Sequence, residues 1–99
     1  MDSYHVLIVE DDKEILDGVG IYLKNQGYTV YKASNGIEGL KMIESEEIHL
    51  AIVDIMMPKM DGITMTVRLR EKYDFPVLML TAKSEEIDKV TGLNMGADD

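Results

Sequence analysis

At 99 residues the chain has room for one domain with a single core and none for a second. Its 10 basic against 19 acidic side chains leave a formal charge of −9, which argues against direct contact with DNA or an anionic membrane, since both attractions rest on basic patches. The absence of cysteine excludes a disulfide framework, a thiolate metal site and a cysteine nucleophile, and no apolar segment reaches membrane length or reads as a signal sequence.

Short apolar runs alternate with amphipathic stretches, the pattern of a parallel sheet with crossover helices. The first strand is expected from about His5 to Glu10. A helix follows from Asp12 as N-cap to Gln26, with Ile15, Leu16, Val19, Tyr22 and Leu23 inward and Gly27 as the stop. Tyr28 to Ala33 alternates like an edge strand. Asn35 can cap a second helix with Ile37, Leu40 and Ile43 on its apolar side, ahead of a solvated acidic turn from Glu44 to Glu47. The third strand runs from about His49 to Asp54. Ile63, Met65, Val67 and Leu69 alternate with period two, which alone reads as strand, but two flanking parallel strands require a helical crossover. A third helix is therefore expected from Gly62 to Lys72, with Met65, Thr66 and Leu69 inward. Pro76 opens the fourth strand, and Ser84 caps a fourth helix with Ile87, Val90 and Leu93 facing the core up to Gly96.

The chemistry collects at the strand ends. Val6-Leu7-Ile8-Val9 runs into Glu10, Asp11 and Asp12, and Leu50-Ala51-Ile52-Val53 runs into Asp54. Uninterrupted apolar runs read as parallel strands buried on both faces, and such sheets bind ligands at the rim formed by their C-terminal ends. Carboxylates crowded there repel one another unless a hard divalent cation neutralises them, and an all-oxygen ligand set suits Mg²⁺. Asp12 is better used as a helix cap than as a ligand. An isolated Asp54 would read as a turn aspartate, but its acidic neighbours and the hydroxyl of Thr81 at the same rim make it a nucleophile candidate. A carboxylate can accept a phosphoryl group, a transfer that demands mainly in-line positioning and neutralisation of phosphoryl oxygens.

The acidic group after strand one, Asp54 followed by Pro58 and the Asp61-Gly62 turn, Thr81-Ala82 after strand four, and Gly96-Ala97-Asp98-Asp99 occur in fixed order at strand ends. In this the whole chain resembles a response-regulator receiver domain of two-component systems. Glu10-Asp11-Asp12, Asp88-Lys89 and the terminal acids resemble most the branch whose receivers precede a winged-helix DNA-binding domain. The resemblance implies a flavodoxin-like doubly wound α/β sheet with strand order 2-1-3-4-5. It implies Asp54 as phosphoacceptor from a sensor histidine kinase, with Mg²⁺ held by Glu10, Asp11, Asp54 and the backbone carbonyl of Met56, Asp11 binding directly. Thr81 would read the phosphoryl group, Ala82 would leave it space, and Lys89, Asp98 and Asp99 would belong to a charged face that dimerises on phosphorylation in the full-length protein. The implied setting is cytoplasmic, the implied output transcriptional, and the only chemistry acceptance and hydrolysis of the protein's own phosphoryl group. Residues 1–99 then form a receiver domain cut before its fifth strand, phosphoryl-pairing lysine and fifth helix, so strand four is expected to be an uncovered, association-prone edge.

Other readings are weaker. An aspartate-nucleophile phosphatase of the haloacid-dehalogenase type usually wants a second acid two residues after the nucleophile, where this chain has Met56. A phosphorylation-independent interaction module would be favoured by an emptied acidic site, and this site is full. No Gly-rich loop follows strand one to support a nucleotide-binding domain. Lys59 and Lys83 read as solvated charges and the eight methionines mostly as core or loop filler. His5 and His49 fall in different strands and are not expected to lie beside one another.

Overall fold

The computed structural model describes residues 3–57 and 60–80. Parallel strands β1 (His5–Val9), β2 (Thr29–Ala33), β3 (Leu50–Asp54) and β4 (Val77–Leu80) form one sheet in the order β2-β1-β3-β4. They are joined by helices α1 (Lys13–Asn25), α2 (Gly36–Ser45) and α3 (Gly62–Leu69). This is the doubly wound α/β arrangement expected from the sequence. Because successive strand residues point to opposite faces, Leu7, Val9, Ala51 and Val53 pack with Ile43, Met65 and Leu69 on one side. Val6, Ile8 and Ile52 pack with Leu16 on the other. Both faces of β1 and β3 are thus covered, which is why these two strands are apolar without alternation.

Chain order and space diverge at β1 and β3. From β1 the chain steps to β2 at one edge, and from β3 to β4 on the opposite side, so the adjacent C-terminal ends of β1 and β3 form the topological switch point. Their register pairs Val6 with Leu50 and Val9 with Val53. The residues that follow, Glu10 and Asp54, therefore emerge side by side.

The helix starts follow the capping reading. Asp12 is extended and its Oδ1 accepts from the amides of Glu14 and Ile15 at 3.0 and 3.3 Å. Asn35 accepts from the amide of Glu38 at 2.9 Å, and Gly27, at φ 97°, takes the left-handed conformation that ends α1. Two inward assignments are corrected. Tyr22 is 63% exposed and Ile37 is 43% exposed. At 3.6 residues per turn, each lies about 120° round its helix from the buried anchors Leu16 and Ile43. The buried sides of the two helices include glycines instead: a Cβ on Gly20 would stand 2.8 Å from Cε of Lys32, and one on Gly39 would stand 3.0 Å from Cγ2 of Val9.

Met65, Thr66 and Leu69 do form the buried side of α3, and the Thr66 hydroxyl donates to the Gly62 carbonyl at 2.8 Å. The helix ends at Leu69, before the expected Lys72. There the amide of Glu71 turns back to Arg68 and that of Lys72 to Leu69, while Nη1 of Arg70 donates to the Phe75 carbonyl at 2.7 Å. At its start, Asp61 accepts from the amide of Thr64 at 2.7 Å, and this hydrogen bond holds the Asp61 carboxyl below its ordinary range. Asp61→Ala is therefore expected to cost about 1 kcal/mol at neutral pH. Because the folded value is depressed, the carboxylate's contribution is complete above the unfolded value of about 3.9 and is lost as pH falls through the lower folded one. Thermal melts should show a wild-type advantage at pH 7 that shrinks at pH 3.

One expectation about the histidines is overturned. Val6 lies opposite Leu50, so the residues just before them are also neighbours, and the His5 amide donates to Nδ1 of His49 at 2.8 Å. The expected fourth helix, with Ser84, Ile87, Val90 and Leu93, lies outside the described residues, as do Pro58 and Lys59.

Candidate functional site

Glu10 is the first residue beyond β1. Its amide donates to the carbonyl of Ala33 on β2 at 3.0 Å, and its side chain, 1% exposed, turns back so that Oε2 accepts from the amide of Asp12 at 2.9 Å. The same Asp12 caps α1, so the cap and the acidic rim share one turn of backbone. Asp54 ends β3 with 0% exposure, and its Oδ1 accepts from the amide of Met56 at 3.2 Å. Asp11 faces solvent. One carboxylate oxygen from each of Glu10, Asp11 and Asp54 lies within 4.8 Å of the others.

Like charges no more than 4.8 Å apart in an effective dielectric near 20 repel by roughly 3 kcal/mol or more per pair. Two of the three carboxylates are also removed from water, which costs further. A hard divalent cation would relieve all the pairs at once, and a donor set made only of carboxylate oxygens fits such an ion better than a softer one. Glu10 and Asp54 are held in place by backbone donors. Asp11 is exposed, so the cluster is open to solvent on its side.

The floor of the site is set by α3. The Gly62 amide donates to the Ile55 carbonyl at 3.0 Å, and a Cβ at position 62 would collide with the carbonyl oxygen of Asp54 and stand 2.9 Å from Cα of Ile55. Only a residue without a side chain lets the start of α3 lie against the backbone that carries Asp54. Sequence reading treated Asp61-Gly62 as a turn and missed this close approach. A glycine directly after a helix-capping aspartate, one short loop beyond the key strand end, is the signal that could have found it.

The structure thus brings together Glu10, Asp11, Asp54 and the backbone of Met56, whose side chain is itself exposed. Thr81, Ala82, Lys83, Lys89, Asp98 and Asp99 lie outside the described residues. Among the described residues no helix is long and apolar enough to cross a membrane.

A family model described as the response regulator receiver domain matches residues 6–99. The regulatory protein VanR of Enterococcus faecium is 50% identical over 97 residues, covering 98% of this chain and 42% of that protein. The chain therefore spans less than half the length of that curated relative. Among solved structures, the receiver domain of the Francisella response regulator 1452 superposes with a TM-score of 0.82 at 32% identity, over 98% of this chain and 81% of that one. The Thermotoga maritima response regulator TrrA, solved in complex with Mg²⁺-BeF, gives 0.77 at 31% identity, over 89% and 77%.

Proposed function

This chain belongs to the response-regulator receiver family, and on that premise we propose that Asp54 is its phosphoacceptor, loaded by a sensor histidine kinase with Mg²⁺ at the acidic rim. The observation that carries the proposal is the convergence of Glu10, Asp11 and Asp54 within 4.8 Å at the switch point of the sheet. The Mg²⁺-BeF bound to the related TrrA supports it by likeness. The donor set fits the ion: Glu10, Asp11 and Asp54 would hold it together with the backbone carbonyl of Met56. Bound there, Mg²⁺ would neutralise the phosphoryl oxygens that gather charge during transfer.

The protein's own share is positioning. The amide of Met56 holds Oδ1 of Asp54, which restrains the carboxylate and leaves its second oxygen for attack. That oxygen attacks phosphorus as the bond from phosphorus to the donor's imidazole nitrogen breaks. The electron pair of the broken bond stays on that nitrogen, and because the donor ring is protonated at its other nitrogen the imidazole leaves neutral; the product is an acyl phosphate on Asp54. Thr81 would donate its hydroxyl to a phosphoryl oxygen, Ala82 would leave room for the group, and Lys89, Asp98 and Asp99 would lie on the face through which the full-length protein dimerises. A winged-helix transcriptional output in the longer protein, a cytoplasmic setting, and hydrolysis of the phosphoryl group by the domain itself complete the reading.

Adding Mg²⁺ to the ¹⁵N-labelled protein should shift the amides of Glu10, Asp11, Asp54 and Met56 most, with weak to moderate affinity, and phosphoryl uptake from a small acyl phosphate should stop when EDTA removes the ion. Shifts centred elsewhere, or uptake indifferent to EDTA, would refute the site.

A further inference from the structure

At the opposite end of the two strands that carry the acids, His5 and His49 are joined in a way that only one protonation pattern allows. The amide of His5 can only donate, so Nδ1 of His49, 2.8 Å away, must hold a lone pair. The carbonyl of Glu47 can only accept, so Nδ1 of His5, 2.7 Å away, must carry a proton. Nε2 of His49 then bears the remaining hydrogen and faces a carboxylate oxygen of Glu47 at 3.3 Å. The rings of His5 and His49 meet edge to face at 5.1 Å, with Tyr4 against His49 and Tyr31 against His5. From the strands, the N-terminal segment and the α2–β3 turn, the titratable groups in contact with the pair among the described residues are Tyr4, Tyr31 and Glu47.

We propose that His49 is a proton-sensitive clasp, tying the start of β1 to the α2–β3 turn when neutral and releasing the His5 amide when protonated. The two rings respond unequally to acid. A second proton on His5 goes to Nε2 and leaves its bond to the Glu47 carbonyl intact. A second proton on His49 goes to Nδ1 and converts the acceptor of the His5 amide into a donor that faces it. Contact between the His49 ring and the Glu47 carboxylate survives protonation and draws the ring towards the turn and away from β1. The first amide of β1 has a side chain as its partner at this point, so its hydrogen bond can open without unzipping the ladder between β1 and β3.

Amide hydrogen exchange in the intact protein, expressed as protection factors to remove the intrinsic pH dependence, tests this directly. The His5 amide should lose protection at least fivefold between pH 8 and pH 5.5, while core amides such as that of Leu7 do not. In His49→Asn the side-chain oxygen can stand where Nδ1 stood and accepts at any pH, so the dependence should vanish with protection retained. An unchanged pH dependence in that variant, or flat protection in the wild type, overturns the clasp. Ring ¹⁵N spectra give an independent check on the wild type alone: at pH 8, Nδ1 of His49 should be the unprotonated nitrogen, and a proton there would also overturn it.

Discussion

Asp54→Asn is expected to abolish phosphoryl uptake while leaving the fold intact. Asparagine keeps the shape of the side chain and can still accept from the Met56 amide, but an amide oxygen is too poor a nucleophile to form an acyl phosphate. Wild type in a Mg²⁺-containing mixture with a small acyl phosphate should approach one labelled group per chain, and the variant should fall to background. The same substitution removes one of three mutually repelling carboxylates from a position with 0% exposure, so without Mg²⁺ the variant should melt at or above the wild-type temperature. Loss of uptake with retained or raised stability separates chemistry from folding. A variant that unfolds would instead show that Asp54 serves the core.

Gly62→Ala is expected to be the most damaging small substitution near the site. The added methyl would meet backbone atoms of Asp54 and Ile55, which cannot rotate away as a side chain could. Overpacking of this kind typically costs about 1–3 kcal/mol, and the rigidity of the opposing backbone puts the expectation at the upper end. Relief requires α3 to move off the end of β3, lengthening the 3.0 Å bond from the Gly62 amide to Ile55 and disturbing the backbone that holds Asp54. Denaturant melts should therefore show a loss of stability together with slower phosphoryl uptake. Gly18→Ala is the control: no atom lies within 4 Å of a Cβ there, and alanine favours the helix, so stability should hold or rise.

Much of this architecture was legible because a few residue types are forced by physics. Apolar runs without alternation, Val6–Val9 and Leu50–Val53, read as strands buried on both faces, so a parallel sheet was legible in the residues, while its strand order came from the family resemblance. Asp12 and Asn35 each stand where helix amides need an acceptor, and both accept from them, whereas the capping role of Asp61 was hidden in what read as a turn. The acids at the rim were legible for the same reason, since Glu10 and Asp54 end adjacent strands. What escaped was set by close contact. Glycines 20 and 39 bring their helices onto the sheet and leave Tyr22 and Ile37 outside, a result that counting apolar residues cannot give. The meeting of His5 and His49 needed the register of β1 against β3, although the strand order already made them neighbours. Where α3 ends early, the chain turns back at Glu71 and Lys72 and the Arg70 side chain reaches the Phe75 carbonyl, contacts with no periodic signature.

The central claim, that Asp54 takes the phosphoryl group, is tested most directly by locating it. After Mg²⁺-dependent loading of the wild-type protein, borohydride reduction converts an aspartyl phosphate to homoserine, and mass spectrometry of the resulting peptides reads its position. Homoserine at position 54 is the expected result. Homoserine at another aspartate, or a stable phosphoester on a hydroxyl residue with position 54 unchanged, would contradict the account.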